Sequence, residues 1–96
     1  MISDFGNDAT RDIYDENNTK AARKFPKSIW AVAKRKLDML EAAPNLEDMK
    51  FPPGNKPEEL SGDLAGFYSI RVNDQFRIIF CFGRGQFSDV RLIDYH

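Results

Sequence analysis

An α+β fold of two layers, an antiparallel sheet with two N-terminal helices packed on one of its faces, is what this chain of 96 residues predicts. Three observations carry the prediction. Apolar residues recur at helical spacing only in the first half, they alternate as strands do after residue 66, and a segment rich in proline divides the two patterns. Helical stripes and alternating strands each bury one face, so the stable arrangement lays the helices on the apolar side of the sheet.

The elements follow in order. Residues 1–5 predict a short edge strand. Asn7 or Asp8 can cap a short helix running to about Glu16, with Ala9 and Ile13 four apart on one face. Residues 15–23 are polar, lack periodicity and predict a mobile loop. From Pro26 to Pro44 the spacing of Ile29 or Trp30, Ala33, Leu37 and Leu40 predicts an amphipathic helix with a proline near each end. Leu46 and Met49 add one turn, and residues 51–57, with three prolines and a glycine, form an irregular loop.

Strands are predicted over residues 67–73, 76–82 and 87–96. Tyr68, Ile70 and Val72 share a face, as do Phe76, Ile78, Phe80 and Phe82, and as do Val90 and Leu92. Aligning these sets requires Asn73-Asp74-Gln75 as one hairpin loop and Gly83-Arg84-Gly85 as the next, residues suited to tight turns. Neither repeats nor a linker divide the chain, so residues 1–96 read as a single domain, whose size allows burial of only about 60–65% of its unfolded surface.

The lone cysteine, Cys81, excludes an internal disulfide, and no apolar run reaches membrane-spanning length, which points to a cytoplasmic protein without membrane contact. A net charge of -1 argues little for a nucleic-acid partner, yet the charge is segregated. Residues 20–36 hold seven basic side chains (Lys20, Arg23, Lys24, Lys27, Lys34, Arg35 and Lys36) and no acidic one, whereas residues 37–66 hold seven acidic and two basic. The run is either a solvated helix face or a surface for phosphates.

The strand register puts Arg71 directly opposite Arg77 on the outer face, with no carboxylate between them. Like charges in that position destabilise a hairpin. Either Asp89 on the third strand reaches across, or the pair receives an anion such as phosphate. Tyr95 shares the parity of Arg71 and Arg77, so its ring is either an edge packer or a platform for a base. His96, the only histidine, is the one side chain whose ordinary pKa suits proton transfer near neutrality; its plain alternative is a frayed terminus. Parity puts Asp94 and His96 on the helix side. Cys81 reads as a small filler. With one histidine, one cysteine and no tight carboxylate cluster, neither metal nor cofactor is expected.

Several motifs stand in one order: Pro52-Pro53-Gly54-Asn55, then Gly62-Asp63 and Gly66, then Ser69-Ile70-Arg71-Val72-Asn73-Asp74-Gln75-Phe76-Arg77, and finally Asp94-Tyr95-His96. Together with the helix segment before them they resemble the HigB toxins of the RelE/ParE superfamily. The resemblance covers roughly the last 45 residues closely and the first 25 or so weakly. It implies a RelE-like fold and a bacterial toxin that cuts mRNA on the ribosome without metal. Arg77 would stabilise the phosphorane-like transition state, Tyr95 would stack or orient the nucleotide, His96 with Asp94 would move protons, and Glu58, standing where some members place a histidine, is a candidate base if burial raises its pKa. Arg71, Lys56, Lys34, Arg35 and Lys36 are the candidate RNA contacts.

The implied partners are a cognate HigA-type antitoxin with a helix-turn-helix domain, the ribosome and its mRNA, and operator DNA reached through the antitoxin complex. Ser61 and Leu64 replace a lysine and an arginine of the nearer branch, and Phe76 replaces its tryptophan. The rival functions are a ParE-like inhibitor of DNA gyrase, which the ending Asp94-Tyr95-His96 argues against, and a catalytically degenerate, antitoxin-binding co-repressor, which the two lost cations suit.

Overall fold

The computed structural model describes residues 1–95. Helix α1 spans Asp8–Tyr14, and Asn7 caps it as its side-chain oxygen accepts from the Thr10 N–H and hydroxyl at 2.9 and 2.7 Å. Thr10, fully buried, accepts in turn from the Leu92 N–H at 2.8 Å, which ties the helix start to the sheet. Helix α2 spans Trp30–Ala42, preceded by a 3-10 turn at Lys27–Ile29, and ends at Ala43 because Pro44 follows. Its stripe of Ala33, Leu37 and Leu40 is completely buried. A 3-10 turn at Leu46–Lys50 is closed by a reciprocal cap between Asn45 and Asp48.

The segment 15–23 is more ordered than its polar composition predicts. Thr19 donates to Asp12 and accepts from the Ala22 N–H, and a 3-10 turn at Ala22–Lys24 places Ala22 in the core. One small apolar residue carries that anchoring, too weak a signal for periodicity to reveal.

The sheet is an antiparallel meander of β1 (Glu58–Glu59), β2 (Tyr68–Arg71), β3 (Phe76–Gly83) and β4 (Gln86–Asp94), in that spatial order. Asn73 forms the first tight turn, its side-chain oxygen accepting from the Gln75 and Phe76 N–H groups at 2.8 Å. Positive φ at both Arg84 (53°) and Gly85 (75°) makes the β3–β4 connection a two-residue primed turn. Both helices pack against the apolar side, where Ile70, Ile78, Phe80, Val90 and Leu92 lie among α1 and α2 residues. The expected N-terminal strand reduces to two parallel bridges, Ile2 to Phe87 and Phe5 to Val90, along the free edge of β4.

Strict alternation fails once. Ile79 pairs with Arg91 but Cys81 pairs with Ser88, so β4 carries an extra residue opposite Phe80, and Asp89 takes φ 49°. This bulge resets the parity, and Phe87, which simple alternation puts outside, is fully buried between Phe80 and Phe82. On the sheet's other face Ile79 is buried as well, and so is Leu60, whose N–H bonds the Phe67 carbonyl. That face holds Arg77.

Candidate functional site

The register opposes Arg71 to Arg77 as expected, but the two side chains diverge. Arg71 turns along its own hairpin to Asp74 at 2.5 Å, and that guanidinium holds the Asp74 carboxyl below the usual carboxylate range. Arg77 sinks into the outer face and is 7% exposed. Its Nε–H donates to the Ser69 hydroxyl at 2.8 Å, and one Nη2 hydrogen donates to the Lys56 carbonyl at 2.5 Å. Among the described residues Nη1 has no hydrogen-bond acceptor; the Glu58 carboxylate lies 3.9 Å away and is about half exposed. The Tyr95 ring lies 5.7 Å from the guanidinium carbon, a cation–π distance.

Two expectations about charge are thereby corrected. The arginines are not left without carboxylates, since Asp74 and Glu58 attend them separately. Asp89 does not reach across; it holds Arg91 through two bonds of 2.8 and 2.9 Å, because the bulge turns it along its own strand.

Short-range geometry explains how each group arrives. Lys56 adopts a left-handed backbone (φ 42°) after the 3-10 turn Pro53–Asn55, which aims its carbonyl at Arg77. The turn is pinned by Asn55, fully buried, whose amide donates to the Met49 and Phe51 carbonyls at 3.1 and 3.2 Å. The Asn55 side-chain oxygen accepts from Lys36 Nζ of α2. Burial first, then the charges of Arg35 and Arg71, pushes the Lys36 amine below its ordinary pKa. Lys56 also lies close enough to Asp74 to act on it. Lys36, Lys56 and Arg71 therefore lie near the β2–β3 end of the sheet that holds Arg77, and Arg35 is next to Lys36 in α2.

Lys34 does not join them. It pairs with Asp38 at 2.8 Å and lies 4.3 Å from the Tyr14 ring centre, and the Asp38 hydrogen bond raises its pKa. Asp94, paired in register with Phe76, is exposed and accepts from Gln75 at 3.1 Å. Tyr95 is set by its N–H bond to the Gln75 carbonyl at 2.7 Å. His96 lies outside the described residues. Cys81 is half buried, and burial raises its thiol pKa, the opposite of nucleophile activation. Among the described residues no three His, Cys, Asp or Glu side chains group as metal ligands do.

Sequence reasoning passed over Ser69 and Asn55. Ser69 carried a signal in its strand parity with Arg71 and Arg77, and Asn55 carried one in ending the turn of the Pro-Pro-Gly-Asn segment.

Residues 3–96 match the sequence profile of the HigB-like toxins, described as RelE-like toxins of type II toxin–antitoxin systems. The chain belongs to the HigB-like toxin family. It is 41% identical over 80 residues to Toxin HigB-1 of Vibrio cholerae, covering 83% of this chain and 82% of that one. An uncharacterised Haemophilus influenzae protein is 38% identical over 69 residues, 72% of this chain and 68% of its own. Among solved structures, the YoeB dimer from Staphylococcus aureus superposes with a TM-score of 0.58 at 18% identity, covering 99% of this chain and 97% of that one. A YoeB/ParE toxin from Agrobacterium tumefaciens gives 0.56 at 17% identity over all of both chains. The Staphylococcus YoeB–YefM complex gives 0.55 at 16% identity, covering 100% and 98%. At such identities these structures support the fold alone, whereas the profile and the Vibrio relative establish a type II toxin of the RelE/HigB family. No helix among the described residues is long and apolar enough to cross a membrane.

Proposed function

We propose that this HigB-family toxin is a metal-independent endoribonuclease that cuts mRNA on the bacterial ribosome and is neutralised in the cytoplasm by a cognate HigA-type helix-turn-helix antitoxin, the complex repressing its own operator. One observation carries the reading: Arg77 is a buried arginine whose Nε and Nη2 are taken within the fold while Nη1 has no hydrogen-bond acceptor among the described residues, with Glu58 and Tyr95 beside it. Burying a guanidinium costs stability that an apolar residue would not. A scissile phosphate bound to Nη1 accounts for it.

In this reading the phosphate displaces Glu58 from Arg77 and leaves the carboxylate alongside the ribose. Glu58 takes the 2′-hydroxyl proton, the 2′-oxygen attacks the adjacent phosphorus, and Arg77 stabilises the charge that builds on the phosphoryl oxygens. The bond to the 5′-oxygen breaks as His96, supported by Asp94, gives that oxygen a proton. Tyr95 stacks on the neighbouring base. Lys36, Arg35, Lys56 and Arg71 hold flanking phosphates.

The test is induced expression of wild type, Arg77→Ala and a chain ending at Tyr95, with growth followed and mRNA 5′ ends mapped. Wild type should arrest growth and produce new ends, and both variants should lose the ends. Equal arrest by all three without new ends would favour the gyrase inhibitor. No arrest by wild type would favour the co-repressor.

A further inference from the structure

We propose that Ser69 is the positioning residue that aims Arg77, a role that rests on the nuclease reading above. A guanidinium has five N–H hydrogens in a rigid plane, so fixing two of its nitrogens fixes where the third points. At Arg77 the Ser69 hydroxyl takes Nε–H at 2.8 Å and the Lys56 carbonyl takes Nη2 at 2.5 Å. Among the described residues Nη1 is left without an acceptor, and it faces Glu58 at 3.9 Å. The Lys56 carbonyl and, at 3.5 Å, the Ser69 carbonyl both take Nη2, so without the Ser69 hydroxyl the guanidinium is held at one nitrogen about which its plane can pivot; the hydroxyl on Nε is the second point that stops it.

Ser69 is well placed for this work. It pairs in register with Glu58 of β1 on one side and Ile79 of β3 on the other, so it sits between the strands that supply Glu58 and Arg77, with Arg77 as its diagonal neighbour. It has no exposed surface, so water has no access to replace the hydroxyl once it is removed. A serine placed only for packing has no need of a charged partner, and a sheet face that already buries Ile79 and Leu60 accommodates an apolar residue at that position. The pairing makes chemical sense as a means of presenting one guanidinium edge to an incoming anion that displaces Glu58.

The effect of losing that aim appears in rate rather than affinity, because the flanking cations do not depend on Ser69. Ser69→Ala, Arg77→Ala and the double variant are compared with wild type in single-turnover cleavage of ribosome-bound mRNA and in ribosome binding. Ser69→Ala should slow cleavage by about 10- to 100-fold with binding unchanged. In the Arg77→Ala background the same change should slow it no further, since nothing is left to aim. A wild-type rate in Ser69→Ala, or an equal loss in both backgrounds, overturns the proposal. Nitrogen-15 NMR of the Arg77 side chain gives a readout that does not depend on cleavage. Its Nε–H should exchange slowly with solvent in wild type and faster in Ser69→Ala at matched thermal midpoint. If wild type cleaves nothing, the nuclease reading falls, and equal exchange in the two proteins separately rejects the positioning role.

Discussion

Glu58 tests chemistry with little risk to the fold. Its side chain is about half exposed, its distance of 3.9 Å from Arg77 exceeds a hydrogen bond, and exposed ion pairs contribute little to stability. Glu58→Gln should therefore leave the thermal midpoint within error while slowing single-turnover cleavage by roughly 10²- to 10⁴-fold, the range of a lost general base. Full activity in that variant would move the base elsewhere. Arg77 behaves differently from what strand parity alone implies. Parity puts it on the outer face, where substitution is harmless to folding, but the structure buries it against Ser69 and the Lys56 carbonyl. Parity reports which side of a sheet a residue faces and is silent on what covers that side. Here the cover comes from the irregular loop after Pro52, whose path depends on a left-handed Lys56 and a buried Asn55 that no periodicity encodes.

At the scale of elements, α2 makes the plainest prediction. Leu37 is completely buried in the main cluster, so Leu37→Ala should lower stability by about 2–5 kcal/mol, read by denaturant or thermal unfolding. An unchanged midpoint would mean the helix does not pack as described. The β4 bulge offers a prediction about pH. The hydrogen bond from Arg91 holds the Asp89 carboxyl below the ordinary carboxylate range. A carboxyl with a lowered folded pKa adds stability above its unfolded value of about 3.8, and that contribution disappears as pH falls through the folded value. Asp89→Asn keeps a residue tolerant of positive φ and removes the charge. Its stability deficit against wild type at neutral pH should close as the solution is acidified toward pH 3, followed by circular dichroism; a constant deficit would rule the charge out.

The helices, the meander and the Arg71–Arg77 register were legible because long apolar stripes and hairpin residues report them directly. The bulge was not, since Asp89 reads as one more polar position in an alternating strand. Its cost to the reading was Phe87, absent from the predicted apolar set of Val90 and Leu92 and found in the core.

Across the whole molecule, net charge conceals what position reveals. Lys36, Lys56 and Arg71 lie near the end of the sheet that holds Arg77, whereas Lys34, from the same basic run as Lys36, is occupied by Asp38 and Tyr14. Lys36→Glu combined with Arg71→Glu should weaken RNA binding and flatten its salt dependence, each lost phosphate contact removing about 0.7 from the logarithmic slope for a single strand. Lys34→Glu should leave that slope close to wild type in the same titration, and an equal effect from both would return the run to a solvated face. The N-terminal bridges carry a consequence of another kind. Ile2 meets Phe87, Phe5 meets Val90, and the Asp89 N–H bonds the Asp4 carboxylate across 85 positions of chain. Closing so large a loop costs entropy that local contacts do not, so the meander and α2 are expected to assemble before this seam closes. Contacts formed after the folding barrier govern how fast a protein comes apart more than how fast it comes together. On that basis the seam between the first residues and β4 is expected to act as a latch on native lifetime: removing residues 1–5 should speed unfolding in stopped-flow denaturant jumps and leave the folding rate nearly unchanged, and an equal effect on both rates would show the seam forms early.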